Sequence, residues 1–124
     1  MEEKLLHAGA TEKIIGAAFE VYSVLGFGFL ENVYQRAMRV ELQQMGMKAE
    51  IEAPITVRYK NAIVGDYRAD IFVNDVVVVE LKVAKNYTSE DEPQLLNELK
   101  ATGIKVGLLI NFGRTKVEFK RMVF

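Results

Sequence analysis

The chain has 124 residues, half of them hydrophobic and 27% charged, with a formal net charge of −1. That size and balance suit one globular domain spanning residues 1–124, with a core of its own and no room for a second. Cysteine is absent, which excludes disulfides, thiolate metal sites and a Cys nucleophile, so any site must be built from oxygen and nitrogen. The start, MEEKLLHAGATEK, lacks a basic segment followed by an apolar one, and no apolar run approaches the roughly 20 residues that span a bilayer. A soluble, cytoplasmic protein without a membrane partner is expected. The near-neutral charge gives no overall pull on nucleic acid, so such a partner has to be held locally.

TEKIIGAAFEVYSVLG predicts a first helix, with Thr11 as N-cap, Ile14, Ala18, Val21 and Leu25 at helical spacing, and a stop at Gly26. FLENVYQRAMRVELQQMG predicts a second, with Leu30, Val33, Tyr34, Ala37, Met38, Leu42 and Met45 on one stripe, ending at Gly46. Alternation then predicts three antiparallel strands near 49–59, 62–73 and 76–83, turning at Lys60-Asn61 and Asn74-Asp75. SEDEPQLLNELKATG predicts a short helix with Pro93 in its first turn, Leu95, Leu96 and Leu99 inward and Gly103 as C-cap. KVGLLINF reads as a buried strand. KVEFKRMVF reads as a weaker last strand, with Val117, Phe119 and Arg121 opposite Glu118, Lys120 and Met122. A strand, a crossover helix and another apolar strand imply a parallel pair beside the antiparallel hairpin. The expected class is therefore α/β, a mixed sheet flanked by helices.

YRADIFVNDVVVVELKV places Asp70, Glu80 and Lys82 within an otherwise apolar hairpin. Glu80 and Lys82, two apart, share a face. Asp70 meets Glu80 on that face only if the loop at Asn74-Asp75 has odd length; a two-residue loop puts them on opposite faces. Both registers are open to the sequence. If the faces agree, two carboxylates beside an ammonium suit a hard divalent cation with oxygen ligands. The plain alternative is a Glu80–Lys82 ion pair on a solvated strand, with Asp70 exposed.

GFLENVY, with Gly28, Glu31 and Tyr34, together with IIGAAFEVYSVLGFGFLENVY, YRADIFV, VVVVELK, PQLLNELKATG and KVGLLINFG in order, resembles the GxxExxY proteins, a family within the PD-(D/E)XK nuclease superfamily. The resemblance implies a restriction-endonuclease-like core, a mixed sheet whose antiparallel hairpin carries D…ExK. It implies Glu31, Asp70, Glu80, Lys82 and Gln94 as catalytic residues. It also implies Mg²⁺ or Mn²⁺ on Asp70, Glu80 and the Leu81 carbonyl, with Glu31 acting through water or a second ion. Hydrolysis of nucleic acid phosphodiesters follows, with DNA ahead of RNA as partner and a homodimer compatible with it. The alternatives are a non-catalytic nucleic-acid-binding or assembly module on the same fold, and a metal-free scaffold stabilised by ion pairs. The chain departs from the family pattern at Tyr22, Phe27, Pro93 and Glu98.

Each residue also has an ordinary role. Glu31 and Gln94 stand in first helical turns, where an acid or a solvated amide is common. Tyr34 lies on an apolar stripe and is expected in the core. His7 is expected at the surface, and Arg114, Lys116, Lys120 and Arg121 either meet phosphate or are simply solvated.

Overall fold

The computed structural model describes residues 6–124; the reading of the N-terminal segment falls partly on residues 1–5, outside them. Helices α1 (Ala8–Leu25) and α2 (Glu31–Gln44) precede three strands, β1 (Ala49–Tyr59), β2 (Ala62–Val73) and β3 (Val77–Lys82). A 3₁₀ turn (Ser89–Asp91) and α3 (Glu92–Thr102) then lead to β4 (Val106–Phe112) and β5 (Val117–Val123). The sheet order is β1-β2-β3-β4-β5, with β3 and β4 parallel and the other neighbours antiparallel. The expected mixed α/β architecture is therefore present, with α3 as the crossover between parallel strands. No helix of the described residues is long and apolar enough to cross a membrane.

The sheet has a core on each face. Against α1 and α2, Ile14, Ala18, Val21, Tyr34, Met38 and Leu42 pack on Ile71, Val79, Leu81, Leu108 and Ile110. Against α3, Leu95 and Leu99 pack on Val78 and Leu109. Because both faces of β3 and β4 are covered, those strands are apolar almost throughout, and Glu80, Lys82 and Asn111 near their C-terminal ends stand out. Tyr34 is fully buried, stacked on Phe112 with ring centroids 4.3 Å apart, and its hydroxyl donates to the Gly26 carbonyl. Its expected core role holds.

Several expectations are corrected. The first helix begins at Ala8 with His7 as N-cap in the left-handed region; Thr11 lies inside the first turn, buried, its hydroxyl donating to Ala8 O at 3.0 Å. On the second stripe Leu30 and Met45 are exposed, since they fall at the ends of α2 where the sheet no longer lies beneath them. Leu96 is likewise exposed, because α3 is short and turns only Leu95 and Leu99 onto the sheet. Phe119 is exposed despite alternating with buried Val117, forming an edge-to-face pair with Phe19 instead. Arg121 is not simply solvated: its guanidinium donates to the Leu6 carbonyl.

Candidate active site

The β2–β3 loop holds three residues, Asn74, Asp75 and Val76, the first two with positive φ. Val73 accordingly pairs with Val77 and Ile71 with Val79, the odd-loop register that sets Asp70 opposite Glu80. There the ladder ends. Beyond Ile71 the backbone pairing is replaced by a side chain: the Leu81 N–H donates to Asp70 Oδ2 at 2.7 Å.

The same point is a fault line in the neighbouring pair. Ala49 and Ile51 of β1 and Ile71 and Val73 of β2 pack towards α1 and α2. Ile55 and Ala69, also odd-numbered, pack towards α3. Both strands thus exchange faces across Glu52 and Asp70, and Glu52 takes up the irregularity with φ 52°. Buried Gln35 of α2 braces the break: its amide donates to Asp70 O at 2.8 Å and to Glu52 Oε1 at 3.3 Å. Arg68 donates to Glu52 O at 3.1 Å. The carbonyl that the ladder abandons is therefore satisfied, and the Asp70 carboxylate is left facing Glu80.

Four carboxyl groups from four elements converge here: Glu31 of α2, Asp70 of β2, Glu80 of β3 and Glu98 of α3. Glu80 is pushed up to about 9, first by burial, then by the charges of Asp70 and Glu98, with Lys82 opposing. Its Oε1 is buried without a partner. Burial, then Asp70, also raises Glu31 from the start of α2. Burial raises Glu98 of α3, whose Oε2 is a second buried orphan. Lys82 finds its carboxylate partner in Asp91 at 3.8 Å, not in Glu80. Gln94, exposed, donates to Glu98 Oε1 at 3.3 Å and lines a pocket with Glu80, Lys82 and Asp91. All five expected residues thus border one region, at the start of α2, within β2, at the end of β3 and at the start of α3. Reasoning from sequence missed Gln35, Glu52 and Asp91. Of these, only Gln35 left a trace, as the polar neighbour of Tyr34 on an otherwise apolar stripe.

The far wall is a cavity of about 230 Å³ lined by Glu31, Lys82, Ala84, Tyr87 and Asn111 among others. Buried Asn111 shapes it: Ala84 N–H donates to Asn111 Oδ1, and Asn111 Nδ2 donates back to Ala84 O, each at 2.9 Å. These bonds continue the pairing of β3 with β4 two residues past Lys82. Tyr22, one of the departures, donates to Gly113 O at 2.7 Å and supports the loop beyond β4.

Among the described residues no three His, Asp or Glu side chains are preset to chelate a metal ion. The donor set nevertheless fits a hard divalent ion of the Mg²⁺ kind, which takes one or two carboxylates and keeps several waters. Asp70 and Glu80 supply the two carboxylates, and an orphaned, buried Glu80 oxygen is what a missing cation leaves behind.

A family model described as the PD-(D/E)XK nuclease superfamily matches residues 8–122. The chain belongs to the PD-(D/E)XK nuclease superfamily. Its sheet, helices and hairpin are those of the restriction-endonuclease-like fold. The chain is also similar in fold to the crystal structure of SSO0001, with a TM-score of 0.51 and 18% identity, over 98% of this chain and 61% of that one. It thus spans about three-fifths of that protein's length. No match was found among curated proteins. Superfamily membership makes a nuclease active on nucleic acid, and using divalent metal, the general expectation for this chain.

Proposed function

We propose that the chain is a metal-dependent nuclease of the GxxExxY type, a single cytoplasmic domain that hydrolyses nucleic acid phosphodiesters with DNA as the favoured substrate. The observation that carries this reading is the hairpin's broken end, where Asp70 leaves the ladder, grips the Leu81 N–H and turns its carboxylate to Glu80 beside Lys82. Asp70, Glu80 and the Leu81 carbonyl would hold Mg²⁺ or Mn²⁺, with Glu31 reaching the ion through water. Bound there, the ion supplies Lewis-acid polarisation of the phosphoryl group and a more acidic water.

The remaining chemistry belongs to the chain. The Lys82 ammonium carries three donors at a partly exposed position. It can therefore leave Asp91 to orient the attacking water or meet charge developing on a phosphoryl oxygen. The Gln94 amide, on the first turn of α3, positions Lys82 or a phosphate oxygen. Gln35 fixes the Asp70 backbone and so the angle of its carboxylate.

The test is cleavage of a panel of single- and double-stranded polynucleotides with Mg²⁺ or Mn²⁺. Wild type should cleave at least one, and Lys82→Ala should abolish cleavage while metal affinity stays within a few-fold. Activity that survives in rigorously purified Lys82→Ala would contradict the assignment. Metal binding without turnover on any substrate would favour the rival reading, a nucleic-acid-binding or assembly module on the same fold.

A further inference from the structure

The β1–β2 pair runs on past the rest of the sheet. Pairing continues from Pro54 with Arg68 to Tyr59 with Ala62, while β3 leaves β2 at Ile71. Near its base the ribbon is covered on one face by α3 through Ile55 and Tyr67. Its end is bare: Tyr59, Ile63 and Val64 are 61%, 57% and 62% exposed. Tyr59 shares a face with its cross-strand partner Ala62 while Ile63, opposite Arg58, lies on the other, so the tip exposes large apolar side chains on both faces, which are poorly placed in water and suggest a partner.

Charge points to what that partner is. Residues 54–68 carry Arg58, Lys60 and Arg68 against the single acid Asp66, a net +2 within a chain of −1. Lys60 stands over the Tyr59 ring at 5.3 Å from its centroid, and Arg58 reaches only a weak bond to Asn61 O at 3.5 Å. Two copies of such a ribbon repel each other, whereas a polyphosphate attracts both. A two-stranded ribbon also matches the major groove of B-form DNA, about 12 Å wide, and does not enter the deep, narrow major groove of A-form RNA. The register shift at Val57/Arg58 adds local twist of the kind that lets a ribbon follow a groove.

Building on the nuclease reading above, we propose that the β1–β2 ribbon is the DNA-reading arm, inserting its tip into the major groove of a duplex whose backbone lies at Asp70 and Glu80. Ala62 stands eight steps along β2 from Asp70. At ~3.3 Å each, the tip reaches up to about 26 Å, or about 8 base pairs, to one side of the bond attacked.

The experiment measures binding, not cleavage, so that it stands apart from the nuclease reading. In the Lys82→Ala background with EDTA, fluorescence anisotropy follows a labelled DNA duplex of about 30 base pairs, its single strand and the matching RNA duplex. The double change Arg58→Ala with Lys60→Ala should weaken duplex DNA binding about tenfold or more at about 100 mM salt. It should also make the log–log salt slope shallower by about 1.8, at about 0.9 for each phosphate left without its cationic side chain. Ile63→Ser should weaken duplex DNA binding with the salt slope unchanged, and the other two nucleic acids should respond little to either. Circular dichroism checks that the variants fold. Unchanged duplex affinity, or an equal loss on all three nucleic acids, overturns the proposal. So does a wild-type dimer in sedimentation that Ile63→Ser dissolves while DNA affinity is kept, because the ribbon is then an interface between copies. If no substrate is cleaved and the variants still lose duplex binding, the nuclease reading fails and the arm stands.

Discussion

Replacing Asp70 by Asn separates a site built to receive a cation from an ordinary ion pair. In metal-free protein, burial and the charge of Asp70 raise Glu80 from 4.5 to about 9. A carboxyl raised on folding holds a proton that the unfolded chain releases. Its stabilising contribution is thus complete below about pH 4.5 and is lost as pH climbs to about 9. At about 1.4 kcal/mol per pH unit, the whole rise corresponds to at most about 6 kcal/mol lost across that window. Asp70 is the second contributor after burial, so Asp70→Asn should recover on the order of 1–2 kcal/mol of it. Asn keeps an oxygen that can still accept the Leu81 N–H, so the hydrogen bond survives. For a chain of this length the gain is roughly 3–8 °C in Tm at pH 8, shrinking to nothing near pH 4. The assay is differential scanning calorimetry in excess chelator at the two pH values, repeated with Mn²⁺, which should raise the Tm of wild type only. A drop equivalent to about 3–5 kcal/mol in Asp70→Asn, with or without metal, would mean that Asp70 is one half of a buried ion pair, and the reasoning would fail.

Two further outcomes test the supports of the site. Gln35→Ala should cost about 1–3 kcal/mol in urea unfolding, since it strands the Asp70 carbonyl, and should weaken Mn²⁺ binding as well; lost stability with intact metal affinity would show that the brace does not orient the carboxylate. Gly113→Ala brings a Cβ to 2.8 Å from Lys116 O and 3.1 Å from Lys85 O, so its Tm should fall and amide exchange in the loops around Lys85 and Lys116 should speed up; an unchanged Tm would show that these loops yield freely.

Much of this geometry is legible in the sequence because strands obey parity. The spacing of Glu80 and Lys82 and the number of residues between Val73 and Val77 determine who faces whom. Only the loop length had to be supplied by the structure. Crossover helix and parallel strand were likewise readable from an apolar KVGLLINF following a capped helix. The face exchange at Glu52 and Asp70 was not, because alternation continues unbroken through both residues. What reverses it is a left-handed Glu52 and an amide arriving from a distant helix. The Thr11 cap failed for a related reason: a good capping side chain marks where a helix can start, while Leu6 and Ala10, partly buried against the core, let α1 begin a turn earlier. Leu30, Met45 and Leu96 fit the helical period but lie where the sheet does not reach, which is information about length and docking that no period contains.

The central claim is that Asp70 and Glu80 together hold a divalent cation, and calorimetric titration of Mn²⁺ into metal-free protein tests it most directly. Wild type should bind with release of protons near pH 7, because Glu80 starts out protonated there. Lys82→Ala should bind similarly, and Asp70→Asn and Glu80→Gln should each lose binding. Absence of a binding isotherm in wild type, or one left unchanged by both carboxylate substitutions, would contradict the account.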